Sequence, residues 1–133
     1  AQISDISDHL SWSNTLKYTK ELRLDRNFLY SWDQYFLIVK ELKFLNFLAL
    51  TGNKLRRLTK EYFEGKNVEE MTSPRLQELV LNSMSLDWAQ VDALAPTLKN
   101  VSKLVLGRNN ISKISSEFKI DTDNFESLTV LNL

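Results

Sequence analysis

An α/β fold, built from a strand-and-helix unit repeated along the chain, is predicted for these 133 residues by three observations. One aliphatic template recurs, its copies are almost evenly spaced, and capped helical patterns fill two of the gaps. The template Leu-x-x-Leu-x-Leu-x-x-Asn-x-Leu fits Leu45, Leu48, Leu50, Asn53 and Leu55 at every fixed position. Conservative changes give Val101, Leu104, Leu106, Asn109 and Ile111. Thr19, Leu22, Leu24, Asn27 and Leu29 lack only the first aliphatic; Leu76, Leu79, Leu81, Met84 and Leu86 lack only the asparagine. A fifth copy begins at Leu128, Leu131 and Leu133. Measured between second aliphatics, the spacings are 26, 31, 25 and 27 residues.

That period and template define a leucine-rich-repeat solenoid of about four to five repeats, with a parallel sheet on its concave face and helices on its convex face. Each template position has a physical task. Leu-x-Leu is a short strand whose leucines point the same way, so Leu22/Leu24, Leu48/Leu50, Leu79/Leu81 and Leu104/Leu106 stack into one core column. Strands are predicted near 20–25, 46–51, 77–82, 102–107 and 129–133, in a single domain over 1–133 with an atypical N-terminal repeat at 1–18. The asparagine donates and accepts toward turn backbone that would otherwise be buried unpaired. Asn27, Asn53 and Asn109 should form a ladder broken at Met84, where an altered turn or a bound water is expected.

Two helix starts are legible. Ser31-Trp32-Asp33-Gln34 and Asp87-Trp88-Ala89-Gln90 each place glutamine three positions after a capping residue. After them Tyr35, Phe36, Ile38, Val39, Leu42 and Leu45, and then Val91, Leu94, Ala95 and Leu98, recur at helical spacing. Pro96 should shorten or kink the second helix. The longer gap, with Glu64-Gly65-Lys66-Asn67 and Ser73-Pro74, reads as a helix or loop.

Composition excludes several function classes. Lys plus Arg and Asp plus Glu are equal at 17 each, which supplies no overall field for nucleic acid or anionic lipid. Cysteine is absent, which removes disulfides, thiol catalysis and thiolate metal sites and fits a reducing compartment. No apolar run approaches the roughly 20 residues of a membrane span, so a soluble intracellular protein is expected. His9 is the one histidine, too few for a Ser/His/Asp or metal-histidine set. Asp121-Thr122-Asp123-Asn124-Phe125-Glu126 lacks the glycine and final glutamate of a calcium loop and reads as solvated. Neither cofactor, metal nor enzymatic activity is expected. The dense basic run Lys54, Arg56, Arg57 and Lys60 reads as a solvated face, and Trp32 and Trp88 as core residues.

A protein partner is expected on the outward side of the strands. Its central column is Arg23, Ala49, Val80, Val105 and Asn132; beside it run Glu21, Phe47, Glu78, Lys103 and Val130, with Asp25, Thr51, Asn82 and Gly107 on the turn side. Small and apolar side chains around Phe47, rimmed by Arg23, Arg26, Glu78, Lys103 and Arg108, have the composition of an interface.

The helix starts carry a resemblance. Asn27-Phe28-Leu29-Tyr30-Ser31-Trp32-Asp33 and Leu81-Asn82-Ser83-Met84-Ser85-Leu86-Asp87-Trp88-Ala89-Gln90-Val91 place tryptophan just after the last template aliphatic. Over about residues 19–133 this resembles the repeat domain of the tubulin-folding cofactor E family, although Met84 and the irregular N-terminus depart from it. The resemblance implies a chaperone-like protein, cytoplasmic and cytoskeleton-associated, that captures α-tubulin and helps assemble or dismantle the tubulin heterodimer. In that family the repeats lie between a glycine-rich domain and a ubiquitin-like domain, neither of which is in this chain. The alternative is a generic scaffold repeat of a splicing or phosphatase-regulatory complex. Ending within a strand, the chain is also expected to self-associate or fray at its C-terminal edge.

Overall fold

A computed structural model describes residues 17–27, 29–109, 111 and 125–133. Along the chain lie β1 (Glu21–Arg23), α1 (Trp32–Glu41), β2 (Phe47–Ala49), a 3-10 turn (Lys60–Phe63), β3 (Glu78–Val80), α2 (Trp88–Leu94), a 3-10 turn (Ala95–Thr97), β4 (Lys103–Val105) and β5 (Val130–Asn132). The five strands form one parallel sheet in chain order, so the class is α/β. Leu22, Leu48, Leu79, Leu104 and Leu131 share one row of the register, each the second aliphatic of a template copy. Leu48, Leu79 and Leu104 are fully buried, while Leu22 and Leu131, in the two outer strands, are only partly covered.

The same buried cluster takes in Tyr35, Phe36, Ile38, Val39 and Leu42 of α1 and its C-terminal end, and Val91, Leu94, Ala95 and Leu98 around α2. Covering the leucine side of a parallel sheet in this way removes apolar area from water at about 25 cal/mol per Å². Trp32 and Trp88 lie in that cluster, 3% and 6% exposed. The Trp32 ring sits edge-on to Tyr35 at 5.4 Å, and Trp88 packs on Phe125 at 6.4 Å.

Both helix starts are capped, by different means. At α1, Ser31 Oγ accepts from Asp33 N and Gln34 Oε1 accepts from Ser31 N, a reciprocal capping box. At α2, Asp87 accepts from Gln90 N, but Gln90 Oε1 accepts from Leu58 N in the preceding segment at 3.1 Å. The second box is therefore half-formed, because a buried backbone N–H from the neighbouring segment takes the glutamine. Pro96 acts as the sequence predicts: α2 stops at Leu94 and continues as a 3-10 turn over Ala95–Thr97.

Asparagine ties neighbouring segments together. Asn53 is 1% exposed; its Oδ1 accepts from Asn27 N and Leu29 N, and its Nδ2 donates to Leu24 O and Leu50 O. Asn109 repeats the pattern on Met84 N, Leu86 N, Leu81 O and Leu106 O. The residue before the template asparagine, or before Met84, has positive φ in all four turns: Arg26 at 53°, Gly52 at 81°, Ser83 at 55° and Arg108 at 58°. Gly52 fits closest, since a Cβ there would meet Arg26 Cγ at 2.7 Å. At Met84 the turn is altered: Met84 is buried, and Ser85 adopts a second positive φ of 58° that the corresponding Lys54 lacks.

Candidate protein-binding face

Strand alternation turns the residues flanking the buried leucines to the other side of the sheet. There the register sets Glu21, Phe47, Glu78, Lys103 and Val130 in one row and Arg23, Ala49, Val80, Val105 and Asn132 in another. A shallow depression of about 400 Å³ crosses the first row, lined by Glu21, Phe47, Glu78, Lys103 and Val130 with the residues preceding the strands. Arg23, Lys103 and Arg108 are exposed, and Phe47, Glu78, Val80 and Val105 half-buried.

Two expectations about this face need correction. Ala49 is only 1% exposed. A single methyl between Arg23 and Val80 in the register lies below its longer neighbours, so it sets the shape of the surface without being contacted. Phe47 is not a bare apolar centre rimmed by cations either, because the Arg23 guanidinium lies over its ring, 4.6 Å from the centroid. That stacking hides one ring face while leaving the guanidinium edge free to donate. The uncovered apolar pair is Val80 and Val105, side by side in the register. Beside them Glu78 and Lys103 approach to 3.9 Å, an exposed ion pair worth about 0–1 kcal/mol.

The turn side of the face is committed within the sheet. Asp25 Oδ1 accepts from Thr51 N at 2.9 Å, and Asn82 Oδ1 from Gly107 N at 2.6 Å. A Cβ on Gly107 would stand 3.2 Å from that Asn82 oxygen, which favours glycine there. These bonds hold the ends of neighbouring strands in register, with Asp25 still exposed and Thr51, Asn82 and Gly107 half-buried.

The basic run Lys54, Arg56, Arg57 and Lys60 is exposed, as the sequence implies, and two of its members are also paired. Arg57 pairs with Asp87 at 2.7 Å and Lys60 with Asp92 at 3.1 Å, each a bridge to the next unit. Burial works against ionisation of Asp87, but the Arg57 hydrogen bond, the Gln90 N–H and the Arg57 charge outweigh it and hold the carboxyl below its usual range. A depressed folded-state pKa gives stability that is full above the unfolded value near 3.9 and is lost as pH falls through the folded one. Asp87→Asn, which still caps α2, is therefore expected to flatten the acid limb of stability below about pH 4. Urea unfolding midpoints of both proteins from pH 6 to 3 check this; parallel curves would contradict it.

Among the described residues no group of His, Asp and Glu is arranged to hold a metal, and no helix is long and apolar enough to cross a membrane. His9 and Asp121–Asn124 lie outside the described residues, as does the rest of the N-terminal stretch 1–16.

No family model and no solved structure matches this chain. Curated relatives do. The chain is 30% identical to Tubulin-folding cofactor E of Arabidopsis thaliana over 131 residues, 98% of this chain and 23% of that protein. It is 34% identical to Tubulin-specific chaperone E of Mus musculus over 91 residues, 68% of this chain and 16% of the relative. The Bos taurus protein of the same name matches at 33% over 114 residues, 86% of this chain and 20% of its own length. The chain thus spans a quarter or less of the curated relatives it matches. With agreement at this level, on both plant and mammalian proteins and over most of its residues, the chain belongs to the tubulin-folding cofactor E family along the segment it matches.

Proposed function

We propose that this chain is a leucine-rich-repeat solenoid segment that holds α-tubulin for a tubulin-folding cofactor, in the cytoplasm beside the cytoskeleton. It acts by binding rather than by catalysis. The observation that carries the reading is the 131-residue match to Tubulin-folding cofactor E. The solenoid is supported by parallel strands that follow one another in template register and by asparagines shared between neighbours. A binding face on the outward side is supported by Val80 and Val105, half-buried strand valines beside the Arg23-covered ring of Phe47 and the Glu78–Lys103 pair. An apolar centre among charged side chains is how protein interfaces are composed. The scaffold alternative has no specific observation in its favour. Val130 and Leu133, 45% and 50% exposed, would mediate any self-association, which sedimentation at rising concentration reads directly.

Co-elution with purified tubulin tests the proposal. The chain is expected to co-elute, and Phe47→Asp with Val80→Asp to abolish it while thermal unfolding stays cooperative. Co-elution unchanged by the double substitution would remove the outward face from the account. Failure of the native chain to bind would remove tubulin as the partner of this segment.

A further inference from the structure

Away from that face, the edge where the chain turns into the strands repeats a feature of its own. The residue just before the first template aliphatic is Tyr18, Phe44 and Arg75 in the first three copies. The structure sets them side by side, the two rings tilted by 49°. The Tyr18 and Phe44 ring centroids are 5.4 Å apart, the Arg75 guanidinium lies 4.5 Å from the Phe44 centroid, and the Lys17 ammonium lies 5.1 Å from that of Tyr18. Tyr18 is 68% exposed; Lys17, Lys43 and Arg75 are exposed and Phe44 half-buried. Arg57, Lys60, Lys99 and Lys103 all have carboxylate partners, whereas among the described residues Lys17, Lys43 and Arg75 take part in no ion pair.

We propose that this edge docks an extended acidic segment of a protein partner. A guanidinium has five N–H donors, more than its place over one ring can occupy, so Arg75 suits a carboxylate, and the flexible lysines supply point charges on either side. Tyr18 offers a broad amphipathic surface for an apolar side chain between the acids. Neighbouring strands are about 4.8 Å apart, so three successive loops span about 10 Å, the length of roughly three extended residues, and one docked segment reaches all of them. A single-stranded nucleic acid is disfavoured: it stacks bases on successive open rings, whereas here Arg75 lies over the half-buried Phe44 and leaves Tyr18 as the well-exposed ring of the edge. The proposal goes beyond the tubulin reading and does not depend on Phe47 or Val80.

Fluorescence anisotropy tests it with a labelled glutamate-rich peptide of about twelve residues carrying two central leucines, titrated with the whole chain. Binding is expected to weaken as salt rises. Lys43→Glu with Arg75→Glu should weaken it by about ten-fold or more, Tyr18→Ala by about three-fold, and the glutamine version of the peptide should not bind. These positions are exposed, and a circular dichroism melt verifies that each variant folds. Absence of binding, equal affinity of the native and charge-reversed chains, or tighter binding of a single-stranded oligonucleotide of equal charge would each overturn the proposal. Tubulin binding lost on Phe47→Asp with Val80→Asp but kept on these variants would separate the two surfaces.

Discussion

Asn53→Ala is expected to destabilise the chain by about 3–4 kcal/mol, a large share of the roughly 5–15 kcal/mol that folded domains possess. The amide is buried and makes four backbone hydrogen bonds, accepting from Asn27 N and Leu29 N and donating to Leu24 O and Leu50 O. Alanine leaves these groups facing a methyl, and each buried group left unpaired costs about 1–3 kcal/mol. Asn53→Asp is informative beside it: the carboxylate still accepts from both N–H groups but sets its charge against the two carbonyls. It should also be destabilising, which a purely volumetric role for Asn53 does not explain. Urea denaturation of the three proteins gives the comparison. A loss below about 1 kcal/mol for Asn53→Ala would show that water substitutes for the amide and that this ladder does not bind the segments together.

Leu79 and Val80 are adjacent and should behave oppositely. Leu79 is completely buried at the centre of β3, with Leu48 and Leu104 on either side in the register. Leu79→Ala removes buried methyls and opens a cavity in the middle strand, costing about 3–4 kcal/mol. Val80 points the other way and is half-buried, so Val80→Ala should cost less than about 1.5 kcal/mol. Thermal melts of both variants read the difference as a drop in Tm of about 10 °C or more for Leu79 and a few degrees for Val80. Equal losses would mean that β3 is covered on both sides and that no open face exists.

Much of this fold is legible in the sequence because its determinants recur. The Leu-x-Leu pairs specify strand positions and their inward side, the asparagines announce their turn bonds, and Ser31 with Gln34 announces the start of α1. What escapes the reading depends on pairs of residues from different units. Gln90 has the same spacing from its cap as Gln34 does, yet it serves Leu58 N, a partner that no local pattern reveals. Ala49 has an outward position, and its burial follows from the size of its neighbours across the strands. The Arg23–Phe47 stack, the Arg57–Asp87 bridge and the Tyr18–Phe44–Arg75 ladder all join residues of successive units. Aligning the template copies in register is the signal that finds them, because it places residues about one period apart side by side.

The outward face as the tubulin-holding surface is tested most directly by affinities for tubulin of three proteins: the native chain, Phe47→Asp with Val80→Asp, and Ala89→Asp on the exposed side of α2. Loss of about ten-fold or more in the first variant with native affinity in the second is the predicted result. Equal affinity of all three, or loss in the α2 variant alone, would contradict it and move the contact to the helical side.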